Sequence, residues 1–423
     1  MLKPTPAIMP SKHYKVNNHS YPHDYHHASA VVDITIPSAL PACFILPSAI
    51  LEQFIKAGAE DQRNRALKTL GISERLIGQR HAFFVTRPHL FASGTSEKHR
   101  IIYDMNHSDD VNLLPGKKIR DENNAGSQDK KSNAGGREAD NAFQNTGVTY
   151  DFYNQIFKRN SVDGAGAILI SSINFGVDFD NAFWNGKQMV FGNGGGGILK
   201  PGSLTAAIDV IAHELTHGVT NYTADLAYTG ESGGLNEAIS DIFGIMCKQW
   251  INKQKVSDSS WLIGEGMLEG GRALRDMKGE EKPNPYDRSI FSYKDYQRGM
   301  DVHWTSGIAN KAFYLTSKKI GNSSYSWEKA GKIWYIVLTQ GWLSKYGPTI
   351  DGIPGRAFQE AADATFTVAG QLYGDNSDEQ NAVSEGWKAV DITPRKVGKP
   401  SIEEASTSAA VPFDQLGSAS AEA

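Results

Sequence analysis

The sequence contains little of what disulfide-rich, membrane or nucleic-acid-binding proteins need. Only two cysteines, Cys43 and Cys247, occur in 423 residues, which excludes a disulfide framework. No apolar run approaches the about eighteen residues of a membrane-spanning helix, so we expect no membrane partner. The net charge is −4, without a basic stripe, so we expect no nucleic-acid partner either. What remains is the composition of an ordinary globular protein.

The N-terminal segment Met1–Ala30 lacks the apolar core of a secretory signal. This predicts synthesis in the cytoplasm, with a leaderless route as the means by which the protein could be exported. The segment is polar and rich in histidine. We interpret it as a mobile terminus, while a metal-binding tract is the alternative.

The strongest motif lies in the middle of the chain, at His213-Glu214-Leu215-Thr216-His217. Apolar residues at helical spacing predict one buried helix over Leu204–Tyr222. Residues four apart share a helix face, so both imidazoles project into the same space, and Glu214 can reach a ligand held by them. This H-E-x-x-H pattern indicates two zinc ligands and a carboxylate general base. A plainer alternative stays open, because a buried helix can satisfy a histidine with a backbone carbonyl.

A second apolar segment offers further groups for a metal site. We predict that its helix begins at Asn236, and Glu237 follows His217 by twenty residues, enough for a turn and an antiparallel return. A catalytic zinc needs three protein ligands and one open position. Asp241 lies four residues after Glu237, shares its helix face and could orient a ligand histidine. Alternatively, both acids are helix N-terminal residues that face the helix dipole.

At these residues the chain resembles the thermolysin family of zinc endopeptidases, the gluzincins. The resemblance, not the spacing, implies the ligand set of one catalytic Zn²⁺, which is that of thermolysin itself. The implied ligands are His213, His217 and Glu237. Asn236 and Asp241 are expected to orient these ligands without binding the ion themselves. The metzincin alternative requires Gly and His at two positions where this chain has Thr220 and Thr223.

The same resemblance covers about Ile101–Val390 in matched order and implies the fold. We expect an α+β, two-lobed zincin with a β-rich N-terminal lobe, a mainly helical C-terminal lobe and the zinc cleft between them. We expect residues 1–95 to form a mobile N-terminus and a short helical pro-segment. Residues 96–228 are expected to form the β-rich lobe, which ends in the zinc-ligand helix. Residues 229–391 are expected to form the helical lobe, and residues 392–423 a disordered tail.

The pro-segment is expected from Cys43-Phe44-Ile45-Leu46-Pro47 and two predicted helices, Ser48–Gly58, with Ser48 as N-cap, and Arg65–Gln79. It resembles the short N-terminal pro-segment of protealysin-like members of the family. We expect Ile34–Arg80 to cover the cleft as an intramolecular inhibitor until the chain is cut near Ala92–His99. Cys43 could bind the zinc as a thiolate, but we favour a plain packed cysteine.

The remaining site residues follow from the resemblance, through their offsets from His213 and from one another. An extended edge segment can pair with a peptide backbone, although it could also be an ordinary edge strand. The resemblance implies that Asn181 and Ala182 contact the substrate backbone and that Arg275 binds the carbonyl beyond the scissile bond. It implies that Tyr228 and His303 hydrogen-bond the oxyanion. The residues that it implies for an apolar pocket are Leu204, Val210 and Leu274. The implied activity is hydrolysis of protein or peptide substrates on the amino side of bulky hydrophobic residues. Zinc-activated water attacks, and Glu214 takes its proton.

One departure from the family pattern concerns the oxyanion histidine. The family usually places an aspartate five residues before it, where this chain has Arg298. Asp301, two residues before His303, could substitute. Because of this departure, a catalytically degenerate peptide-binding homologue is the alternative function, and a small-substrate metallohydrolase on the same scaffold is a second one.

A second departure concerns Ca²⁺, for which the sequence gives little support. Asp209 and Glu265 match the family's calcium site beside the zinc helices. Lys248, Ser260 and Leu262 stand where further carboxylates are expected, and a cation next to missing acids argues against a double-calcium site.

Overall fold

A six-stranded sheet forms the N-terminal region of the structure, and a helical domain forms the C-terminal region, which confirms the predicted α+β class. The computed structural model describes residues 43–83, 97–124, 136–280, 282–350 and 353–398. The expected mobile terminus, most of the expected cleavage region and most of the expected tail lie outside these residues.

The sheet has the strand order β1-β5-β6-β4-β2-β3. Its strands are β1 (Cys43–Phe44), β2 (Arg100–Asp104), β3 (Lys117–Asp121), β4 (Leu169–Ile173), β5 (Ala182–Trp184) and β6 (Met189–Phe191). The pairs β2–β4 and β4–β6 are parallel, and the other pairs are antiparallel. The edge strand β1 therefore comes from the expected pro-segment. It pairs with β5, the strand expected to bind the substrate backbone.

Two helices follow β1, namely α1 (Ser48–Ala57) and α2 (Glu60–Phe83). The helix α1 stops before Gly58, as the sequence predicts. Ser48 is its first residue and not its N-cap, so that prediction was wrong. Pro47 holds the cap position because its ring-fixed φ of −60° suits extended backbone. The helix α2 extends beyond the predicted Arg65–Gln79 at both ends, and two acids in its first turn favour the helix dipole there.

Three further helices are α3 (Gly136–Phe157), between β3 and β4, and α4 (Ser203–Ala206) and α5 (Ile208–Asn221), after β6. Apolar spacing over Val148–Phe157 predicts only the C-terminal part of α3, and the polar stretch Asp121–Asp140 predicts a surface loop. The helix begins inside that stretch, at Gly136. The predicted single helix over Leu204–Tyr222 is two helices, because Ala207 has an extended backbone (φ −79°, ψ 105°). The zinc motif lies entirely on α5.

The C-terminal region is mainly helical. Its helices are α6 (Gly230–Ile251), α7 (Val302–Thr305), α8 (Gly307–Ile320), α9 (Ala330–Thr339), α10 (Ala357–Tyr373) and α11 (Asp378–Lys388), and its short strand pairs are β7 (Leu262–Ile263) with β8 (Arg275–Asp276) and β9 (Thr349–Ile350) with β10 (Ile353–Pro354). The helix α6 begins at Gly230 and not at Asn236, so that predicted start was wrong. Glu237 therefore lies about two turns inside the helix, too deep for a dipole role at its N-terminus.

The two helices that carry the zinc motif and Glu237 pack closely against each other. A side chain at Gly244 of α6 would place its Cβ only 2.6 Å from the Asp209 carbonyl oxygen of α5. Glycine is required at this crossing because only a residue without Cβ lets the two backbones approach so closely. The helices thereby bring their polar side chains face to face.

The start of the expected tail is packed against the helical region, so the tail does not begin at residue 392. Ile392 is buried, and Arg395 pairs with Asp363 at 2.9 Å. The backbone amide of Val397 donates to the Thr367 hydroxyl. Across the described ranges, no helix combines the length and apolarity that crossing a membrane requires.

Candidate active site

Three side chains from α5 and α6 converge on one point. The Nε2 atoms of His213 and His217 are 3.1 Å apart. The two carboxylate oxygens of Glu237 lie 3.4 Å from the Nε2 atoms of His213 and His217, respectively. Ligands about 2.0–2.1 Å from a tetrahedral zinc ion are separated by about 3.3 Å, which is close to all three distances. The three residues are fully buried.

Groups behind the cluster fix both imidazole rings. The Nδ1 atom of His213 lies 2.9 Å from Asp241 Oδ1, and the Nδ1 atom of His217 lies 2.9 Å from Asn236 Oδ1. Burial alone would raise the pKa of Asp241, but Arg275 and His213 hold it at about 2, so Asp241 is a carboxylate. Hydrogen bonds at Nδ1 leave Nε2 of each ring free to face a metal ion.

Unsatisfied oxygens in this buried site fit a bound cation. Neither carboxylate oxygen of Glu214, nor Oε2 of Glu237, has a hydrogen-bond partner among the described residues. Burial raises the pKa of Glu214 well above its ordinary value. Acceptors left without partners in an apolar interior are costly, and a divalent ion with a water molecule would satisfy them. Two imidazoles and a carboxylate are also the donors that zinc accepts.

Tyr228 and His303 lie on the same side of the cluster. The Tyr228 hydroxyl donates to Glu237 Oε1 at 2.5 Å and lies 3.3 Å from His303 Nε2. His303 Nδ1 lies 2.7 Å from Asp301 Oδ1, so Asp301 supplies the carboxylate that is missing at Arg298.

The electrostatics of His303 favour the doubly protonated ring. Burial lowers the pKa of His303, but the charges of Glu237 and Asp301 outweigh burial and raise it above its ordinary value. Its Nε2 faces the Phe44 carbonyl oxygen at 2.7 Å, while its Nδ1 faces a carboxylate. Because both partners only accept hydrogen bonds, both ring nitrogens must donate.

The segment Phe44–Leu46 lies along the residues expected to bind substrate. The Ile45 amide donates to the Ala182 carbonyl at 3.1 Å, and the Arg275 guanidinium donates to the Ile45 carbonyl at 3.3 Å. The Leu46 amide donates to Asn181 Oδ1 at 2.9 Å, and Asn181 Nδ2 donates back to the Leu46 carbonyl at 3.1 Å. Asn181, Ala182 and Arg275 thus all contact the backbone of one extended segment.

The residues expected to form the apolar pocket are all buried. Leu204, Val210 and Leu274 are each at most 1% exposed, and like the fully buried Ile45 they are part of the main hydrophobic core of the chain. Leu204 reaches this cluster from α4, separate from the zinc helix.

Two further polar residues belong to the site and were not predicted from the sequence. The Ser240 hydroxyl lies 3.0 Å from His217 Nδ1, and Asn310 Nδ2 donates to Asp241 Oδ2 at 2.8 Å. Ser240 follows Asn236 by four residues, so its position on the same helix face could have been noticed. Asn310 carries no signal of this kind, because only the packing of α8 against α6 brings it near.

The group of residues that aligns with a calcium site is built around a lysine. Lys248 Nζ lies 3.0 Å from Glu265 Oε2, 3.5 Å from Asp209 Oδ2 and 3.3 Å from the Leu262 carbonyl oxygen. The Ser260 hydroxyl also donates to Glu265. An ammonium group placed among these oxygens does not fit a calcium ion at the same position.

Comparisons with known proteins agree with this geometry. A family model described as the thermolysin metallopeptidase catalytic domain matches residues 89–221, and one described as the α-helical domain matches residues 224–392. Protease PrtS of Photorhabdus sp. (strain Az29) is 35% identical over 375 residues, which are 84% of this chain and 93% of that protein. An extracellular metalloprotease of Pectobacterium carotovorum subsp. carotovorum is 34% identical over 368 residues, covering 84% of this chain and 98% of that protein.

A solved structure extends the similarity to a precursor form. The precursor of protealysin, a metalloproteinase from Serratia proteamaculans, matches with a TM-score of 0.69 and 37% identity, covering 83% of this chain and 100% of that chain. These two relatives and this solved structure are covered almost end to end, and the family models span both the sheet region and the helical domain. The chain therefore belongs to the thermolysin family of metallopeptidases and is a metalloendopeptidase.

Proposed function

We propose that the protein is a zinc-dependent endopeptidase in which His213, His217 and Glu237 hold the ion and Glu214 is the general base. The observation that supports this most directly is the set of three nitrogen and oxygen contacts of 3.1–3.4 Å, next to a buried carboxylate without hydrogen-bond partners. When bound, zinc polarises the scissile carbonyl and lowers the pKa of a water molecule toward about 7.

The chain's own residues handle the proton and the developing charge. Glu214 takes the proton of the attacking water and passes it to the leaving amine, which a carboxylate with a raised pKa can do near neutral pH. His303 carries protons on both ring nitrogens and donates to the oxyanion. The Tyr228 hydroxyl lies 3.3 Å from His303 Nε2 and donates to Glu237 in the uncut chain; it would be the second donor to the oxyanion once substrate is bound. Such donors are fixed before the reaction, and each typically stabilises the transition state by about 3 kcal/mol.

The variant Glu214→Gln tests the general base. Glutamine keeps the size of the side chain but cannot accept the proton, so kcat on casein should fall by about 10²–10⁴-fold while zinc stoichiometry stays at one per chain. Both are measured on chains trimmed of the pro-segment. The surface variant Glu269→Gln is the matched control and should cut normally.

Other outcomes of this experiment separate the alternatives. A Glu214→Gln chain that cuts at the normal rate would remove Glu214 from the mechanism. A trimmed chain that binds zinc but never cuts casein would support the degenerate peptide-binding homologue. That alternative was motivated by Arg298, which stands where the family has an aspartate that orients the oxyanion histidine. The contact between Asp301 and His303 supplies a carboxylate in its place and weakens the alternative.

We propose that cleavage occurs on the amino side of bulky hydrophobic residues. Ile45 supports this, because its carbonyl contacts Arg275 and its side chain is fully buried. Leu204, Val210 and Leu274, which we propose to form the pocket, are buried as well. Peptides that differ only at this position should show kcat/KM about 10–100-fold higher with Ile, Leu or Phe than with Gly, since burying such a side chain contributes about 1.5–3 kcal/mol. Equal rates across the series would contradict the assignment.

We propose further that the pro-segment inhibits the uncut chain. Phe44–Leu46 takes the backbone contacts that a substrate would need, so the two cannot bind together. The full chain should hydrolyse casein far more slowly than the trimmed chain, and equal activity would contradict inhibition.

A pair of variants tests the contact itself. Ile45→Asp would bury a charge in the apolar pocket, so the segment should detach and the uncut chain should become active. Leu67→Asp, at a position 53% exposed on α2, makes the same change in chemistry and should leave inhibition intact. An inactive Ile45→Asp chain that becomes active on trimming would show that the pocket contact does not hold the segment.

A further inference from the structure

Cys43 of the pro-segment lies beside two of the proposed zinc ligands. It lies in β1, is 4% exposed and pairs with Trp184 of β5. The ligand atoms of Cys43, His217 and Glu237 all lie within 4.8 Å of one another. A sulfur bound about 2.3 Å from zinc would be about 3.6 Å from nitrogen or oxygen ligands at ordinary distance. His213 is not part of the 4.8 Å grouping, so Sγ has to move closer to the ion to bind it together with all three ligands.

The neighbouring residues prevent β1 from sliding away from this position. The Phe44 carbonyl is held by His303, and both the amide and the carbonyl of Ile45 are held, by Ala182 and Arg275. With the backbone fixed on the carboxyl side of Cys43 and the β1–β5 register set, the thiol stays beside the cluster.

The second cysteine has different surroundings. Cys247 lies on α6 and is completely buried, and burial raises the pKa of its thiol far above the ordinary value. Across the described residues, the grouping of possible metal ligands includes Cys43 and not Cys247. The sequence favours plain packing for Cys43, but among the described residues Cys43 lies beside possible metal ligands.

We propose that the Cys43 thiolate is the fourth zinc ligand in the uncut chain. The thiol releases its proton to solvent, and a sulfur electron pair binds the ion in the position that a water molecule takes in the trimmed enzyme. No oxidant or reductant is needed. The pro-segment then inhibits in two ways, because it fills the cleft and also removes the site of the attacking water. This proposal rests on the proposed zinc site.

Cobalt(II) substitution in the full-length chain tests the ligand directly. A cobalt–thiolate bond gives a charge-transfer band in the near ultraviolet, which nitrogen and oxygen ligands do not give. The band should be present in the unaltered chain and in Cys247→Ser, and it should disappear in Cys43→Ser and Cys43→Ala. Each chain should bind one cobalt ion, so that the loss of the band reports the ligand and not the loss of the metal.

The other outcomes are distinct. If the unaltered full-length chain bound one cobalt ion without the band, or if the band survived in Cys43→Ser, Cys43 would not be a ligand. The proposed zinc site would be unaffected by either result. Failure of the trimmed chain to bind cobalt or zinc would instead overturn the zinc site, and the ligand proposal with it. As a second readout, Cys43 in the zinc-loaded full chain should react slowly with a thiol reagent and faster after chelation. Equal rates would also contradict the bond.

Discussion

Asp301 shows how one side chain can take over an orienting role at a different sequence position. It caps α7 by accepting from the His303 amide, and the same oxygen accepts from the His303 ring. The family pattern places the carboxylate five residues before the histidine, where Arg298 stands. The carboxylate of Asp301, two residues before His303, reaches the ring because the turn before α7 brings the Asp301 carboxylate and the His303 ring to the same side.

Replacing Asp301 should affect catalysis through the charge of His303. Asp301→Asn removes one of the charges that raise the pKa of His303, so the ring loses its second proton at lower pH. The alkaline limb of the kcat/KM profile should therefore move to lower pH, and kcat at neutral pH should fall by up to about 10²-fold. Arg298→Ala should leave the profile unchanged. A profile that moves with Arg298 and not with Asp301 would refute the assignment.

The sequence predicted individual site residues to different degrees. His213, Glu214 and His217 follow from helical spacing alone, because four residues bring side chains to one face. Glu237 depended on the family resemblance, since nothing in the sequence says where a second helix crosses the first. Asn310 could not be found, because its contact with Asp241 arises only from the packing of α8.

Elements were predicted well where apolar periodicity is strong and poorly at their ends. The helices α5 and α6 were expected from their apolar residues, but the break at Ala207 was missed, since alanine itself favours helix. The early start of α6 was missed because Gly230 and its glycine neighbours do not look helical.

The helix α2 docks on the sheet region by charge and by close backbone approach. Arg65 lies 3.0 Å from Asp178 and 3.8 Å from the buried Asp180. A Cβ at Gly195 would clash with the Arg65 guanidinium, so the glycine makes room for this contact. Burial raises the pKa of Asp180 to about 7, although Arg65 works in the opposite direction.

This raised pKa makes stability depend on pH. The pKa of Asp180 is higher in the folded chain than its ordinary 3.8, so its contribution is fully present below about pH 4 and is lost as pH rises through about 7. Asp180→Asn cannot titrate, and its amide oxygen can still accept from Gly195. The difference in Tm between this variant and the unaltered chain should therefore grow in favour of the variant between pH 5 and pH 8. A difference that stays constant would mean that Asp180 ionises normally.

At the scale of the whole molecule, one ammonium group joins several parts of the chain. Lys248 on α6 contacts Asp209 on α5, the Leu262 carbonyl of β7 and Glu265 in the loop that follows. This is the neighbourhood in which the family resemblance would have placed calcium. A built-in cation can hold these oxygens together without a bound ion.

We therefore expect the thermal stability of the chain to be independent of calcium. Adding calcium, or a chelator selective for it, should not change Tm. Lys248→Met keeps the length of the side chain but leaves the buried Asp209 without its cation, which should cost about 1–3 kcal/mol. Lys253→Met, on the exposed end of the same region, is the control and should have little effect. A Tm that rises with calcium in the unaltered chain would contradict this account.

The antiparallel strand β1 also has a practical consequence for ligand design. The segment that begins with β1 runs through the cleft, and its Phe44 and Ile45 lie where we expect the two residues beside the scissile bond of a bound substrate. Cys43 precedes them. A four-residue compound copied from Cys43–Leu46, with the central amide exchanged for an uncleavable isostere, would carry a metal-binding sulfur, an apolar anchor and matched backbone donors and acceptors. The chain thus contains a starting template for selective blockers of its own trimmed form.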